Sequence, residues 1–310
     1  MFFLIFLLFL QDNTRINHST MIKKHFPESE LIVNSDGSIF HIHLLPEQLT
    51  DNIIVVGDPN RVNMVAAHFD TRDFEVSSRE FHTIGGTYHG KPIMCLSHGI
   101  GSDNIDIVIN ELDALANIDL SSRTTKDKFR QLNIVRIGTS GALQPDLAVG
   151  TPVIATKALG FDGVLNYYAG RNETCDLEFE RAFCDYVHWN PLWAKPYVAD
   201  ADSHLVEKLG EGMEHGVTIS AVGFYGPQGR ELRLPLAEPE LNSRISSFRY
   251  NGRRITNYEM ESAALQGMAR LMGHRAMTVC CIIANRMSKA ATPNYKTAVE
   301  DLVETVLDRI

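Results

Sequence analysis

The sequence predicts an α/β protein, and three stretches predict it. Ile53 to Val62 (IIVVGDPNRV) reads as a β-branched strand, a turn built on Gly57-Asp58-Pro59, and the start of a helix. Ile93 to Leu115 repeats the pattern, with an apolar run, a Gly-Ile-Gly turn, and then Ile105, Val108, Ile109 and Leu112 on one helical stripe. Thr297 to Ile310 has the spacing of an amphipathic closing helix. At 310 residues, 44% hydrophobic and 22% charged, the chain holds enough apolar material for one large α/β domain or two small ones.

In chain order, the opening MFFLIFLLFL is too short to span a bilayer as a helix, which needs about 20 residues. It has the length of a signal-peptide core, but no positive segment precedes it and no small-x-small cleavage site follows. Residues 1–20 are therefore expected to be an apolar extension outside the fold, a secretion signal being the other reading, with residues 21–310 forming the folded domain. Gly37 to Leu45 alternates apolar and polar residues and is expected to be a strand or extended arm with His41 and His43 on one face. No third ligand accompanies that H-x-H pair, so no metal is expected there. Gly85, Gly90 and Lys91 fit a phosphate-loop spacing, but Pro92 stands where Ser or Thr should hold magnesium, and the context reads as a hairpin. Asp119 to Arg130 is polar, a surface loop or a frayed helix end.

The stretch from Ile134 to Thr156 reads as strand, Gly-rich turn, strand. Arg136 lies inside its first apolar run, where a guanidinium is costly unless an anion or a carboxylate meets it. Gly138-Thr139-Ser140-Gly141 can converge backbone N–H and hydroxyl groups on an oxyanion, or can be a plain tight turn. The near G-x-S-x-G there is not a nucleophile elbow, because Gln144-Pro145 interrupts and another strand follows. Ile219 to Arg233 is a strand opening into a loop whose Phe224, Gln228 and Arg230 can stack on and hydrogen-bond a planar polar ring, or form an ordinary Gly-Pro loop. Glu259 and Glu261 stand just before a helix, a placement that often serves only the helix dipole. Ala276 to Arg286 is a buried strand ending in Asn285-Arg286.

The net charge of −9, from 29 basic and 38 acidic residues, argues against nucleic acid or an anionic membrane as partner. An anion must then be held by a few placed arginines. Five cysteines without a C-x-x-C fit reduced thiols in a cytoplasmic protein.

Taken in order, GDPNRV (57–62), SREF (78–81), RIGTSG (136–141), FYGPQGR (224–230) and NYEMES (257–262) resemble the motifs of the nucleoside phosphorylase family over about residues 40–310. FYGPQGR is similar to the pyrimidine branch, and Asn285-Arg286 stand where purine-specific relatives carry Ser-Asp. The resemblance implies a single three-layer α/β/α domain with a mixed central sheet. It implies reversible phosphorolysis of uridine to uracil and ribose 1-phosphate, with inorganic phosphate as co-substrate and no other cofactor. Carried over by residue, it implies phosphate held by the Gly57 backbone, Arg61, Arg136, Thr139 and a neighbouring subunit's Arg79. Ribose would meet Glu261, Met260 and the neighbour's His41, with Glu259 nearby, and the base would meet Phe224, Gln228, Arg230 and Arg286. Arg136, Arg230 and Glu261 would carry the catalysis. Donation of Arg79 and His41 implies a dimer or hexamer. Glu80 is present, but Asn104 stands where some relatives have a serine that helps hold a monovalent cation, so no metal is expected. A purine phosphorylase or nucleosidase of the same family, and a non-catalytic nucleoside-binding relative, share this frame.

Overall fold

Strands that are apolar at every position need a buried surface on both faces, and helices on each side of a sheet provide it. The computed structural model describes residues 24–287, 290–291 and 295–310, so the expected extension at 1–20 lies outside the described residues. In chain order the elements are β1 (Asn52–Val56), α1 (Pro59–Ala66), β2 (Thr71–Ser78), β3 (Phe81–Tyr88), β4 (Lys91–Ser97), α2 (Ser102–Asn117), β5 (Ile118–Asp119) and β6 (Thr124–Thr125). There follow β7 (Asn133–Ala142), β8 (Pro152–Gly160), α3 (Arg171–Thr174), α4 (Leu177–Val187), β9 (Tyr197–Asp200), α5 (Ser203–Leu209) and β10 (Glu214–Ser220). The rest are α6 (Leu241–Ser247), β11 (Arg249–Tyr250), β12 (Arg253–Glu259), α7 (Ser262–Leu271), β13 (Arg275–Asn285), β14 (Ala290–Ala291) and α8 (Lys296–Arg309).

The main sheet runs β11-β12-β10-β8-β13-β7-β1-β4-β3-β2. It is mixed, since β1 pairs parallel with both β4 and β7, while β13 pairs antiparallel with β8. The far end of β12 also pairs antiparallel with β7, Asn257 opposite Ala142 and Tyr258 opposite Gly141. Strands β7, β13, β8, β10 and β12 therefore close into a ring, and β12 delivers its C-terminus beside the middle of the sheet.

Both faces are covered. Ile53 and Val55 of β1 pack with Ile105, Val108 and Leu112 of α2 and with Leu265 and Met268 of α7. Their neighbours Ile54 and Val56 face the other way, onto Val62 and Val65 of α1 and Val299 and Val303 of α8. Each such side chain is worth about 1.5–3 kcal/mol relative to exposure. A third core joins Phe179 and Phe183 of α4 to Phe248 and Tyr258. This is the expected single three-layer α/β/α arrangement.

Four local expectations meet different outcomes. The β3–β4 hairpin forms, turning through His89 at φ 48° and Gly90 at φ 72°, the left-handed pair that a two-residue turn needs. Gly138 to Gly141 is not a turn, because β7 runs unbroken from Asn133 to Ala142 with β13 paired along it. Residues 37–45 are not a strand either. Only a single bridge from Val33 to Ile39 forms, and the chain then turns, with His43 at φ 57°. The polar run after Asp119 becomes the small β5–β6 hairpin. Among the described residues, no helix is long and apolar enough to cross a membrane.

Candidate active site

Arg136 lies at the centre of the sheet, opposite Val55 of β1 and Thr278 of β13, and is 4% exposed. A charge at that depth requires partners, and four converge on it. Its Nη1 is 2.9 Å from Glu259 Oε2, and its Nη2 donates to Glu261. Its Nε donates to His98 Nε2 at 3.1 Å, and Nη1 meets Cys280 Sγ at 3.5 Å. Burial opposes the charge, but Glu261 and then Glu259 outweigh it and hold the guanidinium above its ordinary pKa. A Cβ at Gly138 would stand 2.6 Å from Nη1 and 2.9 Å from Cys280 Sγ, so this glycine provides the guanidinium's space.

The two carboxylates differ. Glu259 accepts from Ser220 Oγ at 2.6 Å, Glu261 N at 2.9 Å and Ser262 N at 3.0 Å as well as from Arg136, which fills its acceptor capacity and caps the free N–H groups at the start of α7. Glu261 accepts from Gly101 N at 2.8 Å and from Arg136, fewer partners than Glu259 has among the described residues, which leaves lone pairs for a ligand. Burial pushes Glu261 up to about 6 against the pull of Arg136.

Arg61 reaches the same corner from α1. Its Nη1 is 3.4 Å from the Ile137 carbonyl. Burial and then the charge of Arg136 lower its pKa, so two guanidiniums share a low-dielectric corner that an anion would relieve. A Cβ at Gly57 would stand 3.2 Å from the Gly99 carbonyl, so glycine lets the β1–α1 and β4–α2 loops close together there. Asp58 caps α1 by accepting from Asn60 N at 2.9 Å. Thr139 is half-buried on β7, and Met260 is half-buried between the two carboxylates in sequence.

His41 and Arg79 are joined through Phe40. Among the described residues, no hydrogen bond or ion pair joins either to Arg61, Arg136 or Glu261. The Arg79 guanidinium stands 5.7 Å from the Phe40 ring centre, and Phe40 packs edge-on against His41 at 4.6 Å. His43 turns away to Asp36 at 3.0 Å.

The base-side residues gather on the loop after β10 and at the end of β13. Gln228 is 3% exposed, and its Oε1 accepts from Arg230 at 2.6 Å and from Arg286 at 3.1 Å. Guanidiniums only donate, so this oxygen faces them and Nε2 is the end left to meet a carbonyl. Arg230 also stacks on Phe224, 3.6 Å from the ring centre. Burial and then the charge of Arg230 bring Arg286 down to about 10, while the Arg286 guanidinium sits 5.1 Å over Tyr258. Asn285 is committed to the fold, donating to the Gln144 and Leu147 carbonyls at 2.9 and 2.7 Å. A cavity of about 840 Å³ opens beside Arg230 and Tyr225, walled by Phe161, Trp189, Trp193 and Leu234.

Sequence reasoning passed over His98, Ser220 and Cys280. His98 is fully buried, and burial followed by the charge of Arg136 holds it well below its usual pKa, so it is neutral. Accepting at Nε2, it carries its proton on Nδ1, which meets no hydrogen-bond partner of good geometry among the described residues. The available signal was a polar Ser97-His98 pair ending an apolar strand. Ser220 sits likewise at the end of β10. Cys280 is pushed by burial to about 12 and stays a thiol. Among the described residues, no three His, Cys, Asp or Glu side chains converge as metal ligands.

A family model described as the phosphorylase superfamily matches residues 51–310. The chain is 30% identical to the uridine phosphorylase of Thermococcus kodakarensis, covering 86% of this chain and 84% of that protein. It is 32% identical to the uridine phosphorylase of Escherichia coli, covering 85% and 92%. Among solved structures, a Trypanosoma brucei nucleoside phosphorylase described as showing uridine phosphorylase activity superposes with a TM-score of 0.82 at 24% identity, covering 90% of this chain and 98% of that one. The purine nucleoside phosphorylase of Toxoplasma gondii superposes with a TM-score of 0.60 at 21% identity, covering 87% and 94%.

Proposed function

From the premise that this chain belongs to the phosphorylase superfamily, we propose that it is a uridine phosphorylase, cleaving uridine with inorganic phosphate to uracil and ribose 1-phosphate. One observation carries the reading. The buried corner of Arg61, Arg136 and Glu261 and the set of Gln228, Arg230 and Arg286 meet at the end of β12, where Arg286 lies over Tyr258 and the next residue, Glu259, binds Arg136, and this supports an anion site beside a planar amide site. Relatives named uridine phosphorylase at 30–32% identity over most of the chain support the base preference.

In this reading phosphate lies against the Gly57 backbone, Arg61, Arg136 and Thr139, with the partner subunit's Arg79 closing over it. Glu261 accepts a ribose hydroxyl, Met260 packs on the sugar, Glu259 braces Arg136 behind them, and the partner subunit's His41 meets a further hydroxyl. A phosphate oxygen attacks C1′, the C1′–O bond forms as the C1′–N1 bond breaks, and the bonding pair leaves with uracil. No protein nucleophile is required. Placement of the dianion supplies catalysis by proximity. Negative charge then builds on the uracil oxygens, where Arg230 and Gln228 Nε2 can donate, with Phe224 and Arg286 holding them. One such donor is worth about 2.7–4 kcal/mol in comparable sites. A delocalised uracil anion needs no acid at Asn285, which agrees with the commitment of that amide to two carbonyls.

The same reading makes the active unit at least a dimer, in a dimer or hexamer, and five unpaired thiols support a reducing, cytoplasmic setting. Uracil release from uridine, with inosine in parallel and phosphate present or withheld, tests it. Phosphate-dependent release from uridine is expected. Release without phosphate would make the protein a hydrolase, and activity confined to inosine would overturn the base assignment.

A further inference from the structure

His41 sits in a turn that no sheet ladder holds, yet its backbone and ring are fixed from one side by a single carboxylate. Glu111, on α2, sends Oε1 to His41 N at 3.0 Å and to His41 Nδ1 at 2.6 Å, and Oε2 to His41 N at 3.0 Å and Ile42 N at 2.9 Å. The carboxylate is 12% exposed, and the imidazole 29%. On the ring's flank stands Phe40, with the Arg79 guanidinium beyond it.

We propose that Glu111 is the positioning residue for His41, fixing the ring so that Nε2 is offered as a hydrogen-bond acceptor to a ribose hydroxyl in the neighbouring subunit's site. The chemistry follows from the carboxylate's inventory. An ionised carboxylate only accepts, so Nδ1 must carry a proton, and the neutral imidazole then has its lone pair on Nε2. A ribose hydroxyl can donate to that lone pair, and an orienting group behind an imidazole is the general means of choosing the tautomer. The two backbone N–H groups on the same carboxylate fix the turn, so ring direction and ring tautomer have one cause. Glu111 thereby ties the donated residue to α2, the helix that opens at Gly101 beside Glu261 of its own site.

This inference rests on the reading of His41 as a donated ribose ligand, and the test separates the two. Steady-state kinetics of the full-length oligomer, with uridine varied at saturating phosphate, are compared for Glu111→Gln, His41→Ala and the double variant. Glu111→Gln is expected to lower kcat/KM for uridine about tenfold, chiefly through KM for uridine, as one misdirected hydrogen bond does. KM for phosphate should be unchanged, and the loss should vanish in the His41→Ala background, which a merely structural role would not allow. A loss that persists in that background, or a silent Glu111→Gln beside an impaired His41→Ala, overturns this proposal alone. A silent His41→Ala overturns the donated-histidine reading with it. Should Glu111→Gln fail to fold, ring ¹⁵N shifts of His41 in the native enzyme, assigned by the loss of its signals in His41→Ala, decide the matter. Protonated Nδ1 with bare Nε2 supports the proposal, and protonated Nε2 overturns it.

Discussion

At one end of the candidate site Arg136 is 4% exposed and bound by two carboxylates, an imidazole and a thiol; at the other, Phe224 is 50% exposed and its stacked Arg230 hangs on a loop. The first end is set into the middle of a sheet with β1 and β13 on either side, and Arg136 is held by two carboxylates before any ligand arrives. The second is held by one buried amide and by cation–π contact, between two strand ends. A rigid corner whose arginines are placed in advance suits a fixed dianion and sugar, because reaction there requires no reorganisation. A loop-borne donor set suits a planar base, where a change of side chain alters preference without disturbing the sheet.

Removing the central charge tests the contrast most severely. Arg136→Ala leaves Glu259 and Glu261 buried without their counter-charge, and breaking such a pair costs about 3–5 kcal/mol of stability. Denaturant unfolding should show that loss, and uridine turnover should fall by several orders of magnitude. Near-native turnover in a folded variant would remove Arg136 from the mechanism. The base end should behave otherwise. Arg230→Ala is expected to cut kcat/KM for uridine by about 10²–10³-fold while KM for phosphate changes little. Its stability should stay within about 0.5 kcal/mol, as for a half-exposed loop residue. A comparable rise in KM for phosphate would mean that the two ends are not separable.

A pH series sharpens the comparison from the buried side. The folded state holds the Glu261 proton up to about pH 6, whereas the unfolded chain releases it near 4.5. Between those values the folded state binds more protons, so this carboxyl makes stability fall as pH rises, by about 2 kcal/mol across the window. Glu261→Gln should remove that slope from unfolding curves measured between pH 4 and 7, whatever its effect on the absolute stability. An unchanged slope would place the titration elsewhere. The smallest effect is expected at Arg286→Gln, which frees the Gln228 carbonyl and one contact to its Oε1. It should cost about 1 kcal/mol in kcat/KM for uridine, near tenfold at most, with inosine activity watched for any gain.

The α/β class, the β3–β4 hairpin and the suspicion attached to Arg136 were all legible in the sequence, because each is a local statement. A β-branched run, a His-Gly turn and a charge inside an apolar strand carry their meaning in neighbouring residues. Gly138 and Gly141 misled for the same reason. As local signals they mark a turn, whereas in β7 one of them gives room to a guanidinium folding back over it. Residues 37–45 misled through alternation alone, since the His41 and Ile42 amides are taken by Glu111, about seventy residues away in the chain, and the Asn34 side chain takes the Ile39 carbonyl.

By itself the sequence determined the residue types, the helix and strand periods, and the order of the five motifs that mark the family. The tertiary structure alone decided which groups meet. β12 curls back to pair with β7, and that closure brings Glu259 and Glu261 to Arg136 across more than a hundred residues. It also decided that His98 would be the neutral acceptor on Nε of Arg136, and that Gln228 would turn its oxygen to two arginines. The physical reason is that hydrogen-bond partners and burial are properties of chain segments brought together by sheet closure, and no local period encodes them.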